Sequence, residues 1–217
     1  MELKLIITGT TGMVGEGVLL TCLEHPGVKE VLMVNRKHWD LQHSKLKELI
    51  VPDFLQVEKY ADQLKGYDAC FFCAGISSVG MSEEKYTVIT YDTTIHFAKV
   101  LSGVNDNMVL TYVSGSHTDS SEQSKIMWAR VKGRTENALK TLPFKAVYNF
   151  RPGGMRPFPG QKNAKMLYTV IVGAIGWIIP KKICSLRELG TAMINAVIRG
   201  YHTPTIEIED IHKLAKG

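Results

Sequence analysis

Residues 3–17, LKLIITGTTGMVGEG, constrain this chain more than any other stretch. A short apolar run, 3–7, stops at Thr8, and glycines follow at 9, 12 and 15. Val14, Val18, Leu19, Cys22 and Leu23 then recur at helical spacing. A strand, a tight turn and a helix opening on glycines form the arrangement that holds a pyrophosphate. Unsatisfied N–H groups and the helix dipole favour an anion there. Gly9 would turn the chain sharply, Gly12 would let a phosphate approach the backbone, and Gly15 would let helix and strand pack closely. Thr11, Met13 and Val14 complete the cradle. A glycine triplet alone says little; placed directly after an apolar strand it says much more.

Strand-like apolar runs recur downstream at 31–35, 54–58, 69–74, 108–114 and 145–150, with amphipathic helical stretches at 83–101 and 125–142. Alternation of this kind predicts an α/β fold with a doubly wound parallel sheet, whose ligands sit beyond the carboxyl ends of the strands. A late strand at 205–208 and a short terminal helix would finish it. No repeat or linker interrupts the chain, so residues 1–217 read as a single domain.

Composition narrows the class. With 45% hydrophobic and 22% charged residues the chain is not disordered. It runs straight into a strand broken by Glu2 and Lys4, so no signal peptide is expected. The four cysteines (22, 70, 73 and 184) suit a reducing compartment, and a cytoplasmic location is expected. The net charge of +5 is uneven: residues 125–165 hold ten Lys or Arg against one acid, Glu136. That cluster is either a solvated helix face or a positive field over a cleft for anionic ligands. Basic residues interleaved with aromatics are missing, so nucleic acid is not an expected partner.

The second strand ends VLMVNRK. An NAD-selective site ends this strand with a carboxylate that accepts hydrogen bonds from the ribose 2′-hydroxyl. Here Asn35 takes that place, followed by Arg36 and Lys37. A guanidinium grips a 2′-phosphate that a carboxylate would repel, which favours NADP(H) over NAD. The Cys70-x-x-Cys73 pair lies in ACFFCAG, a strand in which residues three apart face opposite ways, so it reads as core packing. Cys73, Ala74 and Gly75 would pass beside the dinucleotide. No histidines show metal-ligand spacing, and no metal site is expected. His117 is the one histidine on a promising loop, after the fifth strand.

Taken together, TGTTGMVG (8–15), NRK (35–37), CAG (73–75), YVSGS (112–116), ARVKGRTENAL (129–139) and FRPG (150–153) resemble the atypical short-chain dehydrogenase/reductase superfamily. The match is to its epimerase-like branch, which also contains the Tat-interacting oxidoreductase. The resemblance spans residues 1–153. It implies a Rossmann domain binding NADP(H), with a small C-terminal extension, mainly 154–217, on the substrate side. It also implies a Tyr-x-x-x-Lys pair on the helix after the fifth strand, helped by a serine at that strand's end. Such a lysine lowers the tyrosine pKa and holds the nicotinamide ribose, while the tyrosine moves a proton.

In this chain the segment reads Trp128-Ala129-Arg130-Val131-Lys132. Lys132 is present, but indole replaces the phenol and cannot act as an acid or base near neutral pH. The serine position falls on Gly115, flanked by Ser114 and Ser116. Ser114, Ser116 and His117 remain as proton-donor candidates, while Tyr91 and Tyr112 read as packing residues. Arg151, Pro152 and Gly153 match the family's turn beside the nicotinamide.

The apolar run 166–179 is too short to span a bilayer. Its readings, in order, are a substrate-pocket helix in the core, a homodimer surface and a peripheral membrane contact. Two functions follow. One is an NADP(H)-dependent oxidoreductase or epimerase-like enzyme acting on a small carbonyl or sugar-related substrate. The alternative is a non-catalytic NADP(H) sensor or scaffold.

Overall fold

The computed structural model describes residues 2–164 and 182–217, so the apolar run 166–179 lies outside the described residues. In chain order the strands are β1 (Leu3–Thr8), β2 (Val28–Asn35), β3 (Leu46–Ile50), β4 (Ala69–Phe72), β5 (Val109–Val113), β6 (Ala146–Phe150), β7 (Gly154–Arg156), β8 (Ile183–Ser185) and β9 (Thr205–Ile206). The helices are α1 (Met13–Glu24), α2 (Glu83–Thr87), α3 (Thr93–Val104), α4 (Met127–Lys140), α5 (Leu186–Arg199) and α6 (Ile208–Lys216). Seven strands form one sheet in the order β3-β2-β1-β4-β5-β6-β9, and every neighbouring pair is parallel. This is the expected doubly wound sheet. The order reverses between β1 and β4, which opens a crevice at their carboxyl ends.

Each face of the sheet carries its own core. On one, Leu5 and Ile7 of β1 and Val31 and Met33 of β2 pack with Val18, Leu19 and Cys22 of α1, Leu189 and Met193 of α5, and Ile211 of α6. On the other, Ile6, Leu32, Cys70, Phe72 and Tyr112 meet Phe97 and Leu101 of α3 and Leu139 of α4. Successive strand residues thus alternate between two helix layers, and burial on both sides explains why these strands read as continuous apolar runs. Cys70 belongs to the second layer and Cys73 packs on the first, as the period of two requires.

The strand expected at 54–58 is a correction. Residues Phe54–Leu64 form 3₁₀ turns kinked at Gln56, the first capped where the Asp53 side chain accepts the Leu55 N–H at 2.9 Å. Phe54 and Val57, three apart, face the core, which a period of two cannot achieve. The third strand is instead Leu46–Ile50, whose two charged residues conceal an edge strand paired to β2 alone. The long helix expected at 83–101 runs as α2 and α3, joined without a break by a π turn at Val88–Asp92. Beside the main sheet, β7 and β8 form a small parallel pair that the sequence patterns did not reveal.

Candidate functional site

At the end of β1 the three glycines differ in what surrounds them. Gly9 has φ +72°, and a Cβ there would lie 2.6 Å from the Ala74 backbone. A Cβ on Gly15 would lie 2.2 Å from the Gly9 carbonyl oxygen. Both positions exclude a side chain because protein fills the space. Gly12, the N-cap of α1, meets nothing closer than the Gly9 oxygen at 3.4 Å, so it keeps the approach to the helix N-terminus open. The Ala74 N–H donates to Thr8 Oγ1 at 3.2 Å, tying the ends of β1 and β4 together.

The end of β2 closes this turn from the side. Thr10 Oγ1 donates to Asn35 Oδ1 at 2.9 Å, and Asn35 is only 3% exposed. Its amide nitrogen Nδ2 is buried with no hydrogen-bond partner among the described residues. An orphaned buried donor beside an open, glycine-lined helix terminus fits a dinucleotide, whose ribose or phosphate oxygens would supply the missing acceptor. Arg36 and Lys37 are exposed next to it, and neither forms an ion pair among the described residues. Gly75, beyond β4, is likewise uncrowded.

Across the crevice, Lys132 of α4 reaches the carboxyl end of β5. Its ammonium donates to the carbonyls of Ser114 (3.1 Å) and Val113 (3.3 Å) and lies 5.5 Å from the centre of the Tyr112 ring. Burial pushes its pKa down to about 8, against an upward pull from Glu136 one turn along the helix. Trp128, one turn the other way, faces Gly115: a Cβ on that glycine would lie 3.9 Å from its ring. The strand-end position facing the Trp128 ring is therefore a glycine.

The proton-donor candidates separate in space. Thr118 Oγ1 donates to the Gly115 carbonyl at 2.8 Å, so the Ser114 hydroxyl, 2.9 Å away, donates to Thr118. Ser114 is buried and turned beneath its loop. Ser116 joins the turn after β6, its N–H donating to the Pro152 carbonyl at 3.0 Å. His117 is exposed, with φ +67° and its ring Nδ1 3.2 Å from Ser116 Oγ.

Arg151 is held by structure. Its guanidinium donates to both oxygens of Glu136 (3.0 and 2.5 Å), to Glu207 (3.1 Å) and to Ser120 Oγ (2.6 Å). The Arg151 side chain is therefore committed to the fold, and its backbone N–H donates to the Ile206 carbonyl at 2.8 Å. Glu136 is fully buried, and sequence reasoning missed it; the signal was a lone acid among ten bases. Other bases of that cluster are also matched, Arg130 by Glu83 and Arg134 by the Tyr91 ring at 4.3 Å. Arg130, Arg134 and Arg151 are thus engaged within the fold. Among the described residues, no set of three His, Cys, Asp or Glu is arranged to hold a metal ion. No helix among them is long and apolar enough to cross a membrane.

Residues 5–127, which include the glycine turn, match a known family model, described as the NAD dependent epimerase/dehydratase family. The chain belongs to this family. Its curated relatives include the mitochondrial protein fmp52-1 of Aspergillus terreus, 27% identical over 153 residues, which are 68% of this chain and 64% of that protein. The chain thus spans just under two thirds of that relative. The mitochondrial fmp52 of Emericella nidulans is 24% identical over 214 residues, 89% of this chain and 86% of the relative.

Solved structures share the fold. A UDP-N-acetylglucosamine 4-epimerase from Methanobrevibacter ruminantium superposes with a TM-score of 0.70 at 16% identity, covering 95% of this chain and 76% of its own. The Bordetella bronchiseptica enzyme WbmF, solved in complex with NAD+, gives 0.68 at 14% identity, covering 99% and 77%. At these identities the likeness establishes the fold. The mitochondrial names of the fungal relatives overturn the cytoplasmic expectation. Free thiols speak for a reducing environment, which is not the same as naming an organelle.

Proposed function

We propose that this chain binds NADP(H) and acts as an oxidoreductase or epimerase-like enzyme on a small carbonyl or sugar-related substrate. The observation that carries the reading is the pairing, across one crevice, of an uncrowded Gly12 helix terminus with the Lys132 ammonium at the end of β5. The turn around Gly9, Thr11, Gly12, Met13, Val14 and Gly15 would hold the pyrophosphate. Asn35, Arg36 and Lys37 would hold the adenosine ribose and its 2′-phosphate, with Cys73, Ala74 and Gly75 lining the crevice and residues 151–153 at its far end. When bound, the nicotinamide supplies the hydride chemistry. Lys132 would fix the ribose and place positive charge beside the reacting carbonyl. The partner this requires is a small molecule, and the names of the fungal relatives favour a mitochondrial setting.

Trp128 favours a second reading, a cofactor-responsive regulator that binds NADP(H) without turnover, because an indole neither gives up nor takes a proton near neutral pH. A panel of carbonyl substrates with NADPH separates the two. The enzymatic reading expects measurable oxidation of NADPH by the wild type, increased in Trp128→Tyr. No turnover in either protein, with NADPH bound by both, would leave the regulator.

A further inference from the structure

Glu16 is the only charged residue between Lys4 and Glu24, and nothing in the dinucleotide reading uses it. It lies in the first turn of α1, 2% exposed. Its two carboxylate oxygens accept the backbone N–H groups of Lys162 (2.7 Å) and Asn163 (2.6 Å). Beside them, Gln161 Nε2 donates to the Met13 carbonyl at 2.6 Å, while Gln161 Oε1 accepts the Phe158 N–H at 2.9 Å. Pro159 and Gly160, the latter at φ +77°, make the corner between Phe158 and Gln161, in the order a type II turn demands. The Arg187 guanidinium covers the Phe158 ring at 4.5 Å. Residues 158–163 are therefore a compact strap laid along the opening turn of the phosphate-binding helix, with Glu16 as its latch.

A buried carboxylate is tolerable here because two N–H groups and the positive end of the helix face it. A pyrophosphate would use that same positive end, roughly one helical turn, or about 5 Å of rise, from Glu16. The unpartnered Asn35 Nδ2 independently points to a ligand at this turn. Two anions that share one helix terminus repel each other, so each weakens the other's attachment. We propose that strap closure and dinucleotide binding oppose each other through Glu16. A seated pyrophosphate loosens the Glu16 hold on Lys162 and Asn163, and a latched strap lowers dinucleotide affinity by the same factor. The inference rests on the dinucleotide reading given above. It makes Glu16 a positioning residue for the substrate-side loop.

Hydrogen exchange read by mass spectrometry on peptides covering 158–164, with and without saturating NADP+, tests the coupling alongside calorimetric titration. In the wild type the strap amides exchange roughly three- to tenfold faster with NADP+ bound. In Glu16→Gln they exchange fast already and do not respond, and NADP+ binds roughly three- to tenfold tighter. A purely structural Glu16 would loosen the strap in the variant without tightening the cofactor. Gln161→Ala, which frees the strap but keeps the charge, is the second variant; its strap exchanges faster and still responds to NADP+. Slower strap exchange on binding, or unchanged affinity in Glu16→Gln, overturns the coupling and leaves the dinucleotide reading intact. Absence of NADP+ binding to all three proteins overturns both.

Discussion

The two banks of the crevice are built to different standards. On the β1 side, close packing dictates Gly9 and Gly15, while Gly12 is left uncrowded and Asn35 keeps a spare donor. On the β5 side Lys132 is anchored, but a tryptophan faces a glycine where the family resemblance leads one to expect a tyrosine facing a serine. A binding site tolerates such a change because affinity comes from many contacts. Proton transfer depends on one group with a suitable pKa, and a single substitution removes it. The comparison teaches that the residues suited to binding and those suited to proton transfer can vary separately on the same fold.

The largest expected effect tests what holds the β5 bank in place. Arg151→Met leaves Glu136 buried without its partner, which should destabilise the fold by about 3–5 kcal/mol. Urea unfolding measures this, and Glu207→Gln, which touches the exposed end of the same network, should cost far less. Next is a test of the β1 bank. Gly12→Ala meets only ordinary contacts, so its melting temperature should stay close to wild type while cofactor affinity drops by an order of magnitude or more. Gly15→Ala should lose fold and affinity together, because its Cβ runs into backbone.

A pH test concerns Lys132, whose pKa is down to about 8 in the fold against roughly 10.4 in an unfolded chain. Between those values the unfolded chain binds more protons, so stability should rise with pH across about 8 to 10.4. Below pH 8 the buried charge is a constant penalty. Lys132→Met should flatten that rise, as urea midpoints at stepped pH would show; an unchanged slope would mean the ammonium is well solvated.

The sequence disclosed these two banks unequally. The glycine turn and the parallel sheet were legible because glycine spacing and alternating apolar runs are signals carried by the local sequence. Trp128 in the tyrosine place was legible for the same reason. What stayed hidden depends on partners far apart in the chain. The stretch 54–58 misled through its period, Phe54 and Val57 being three apart, whereas the Arg151 side chain is held by Glu136 and Glu207, 15 and 56 positions away. Glu16 gave no warning either, since its partners lie 146 and 147 residues on. The charge cluster of 125–165 was open to two readings, a solvated helix face or a field over a cleft, and neither anticipated that Arg130 and Arg151 pair with acids from elsewhere in the fold.

The central claim is that the β1 bank is a working NADP(H) site, whatever the β5 bank does. Calorimetric titration of the purified protein with NADP+ and with NAD+, repeated on Arg36→Ala, tests it most directly. The account predicts at least roughly tenfold tighter binding of NADP+, with the preference lost in the variant because one charge-assisted phosphate contact is worth about 1.5–3 kcal/mol. Equal or tighter binding of NAD+, or a preference that survives Arg36→Ala, would contradict it.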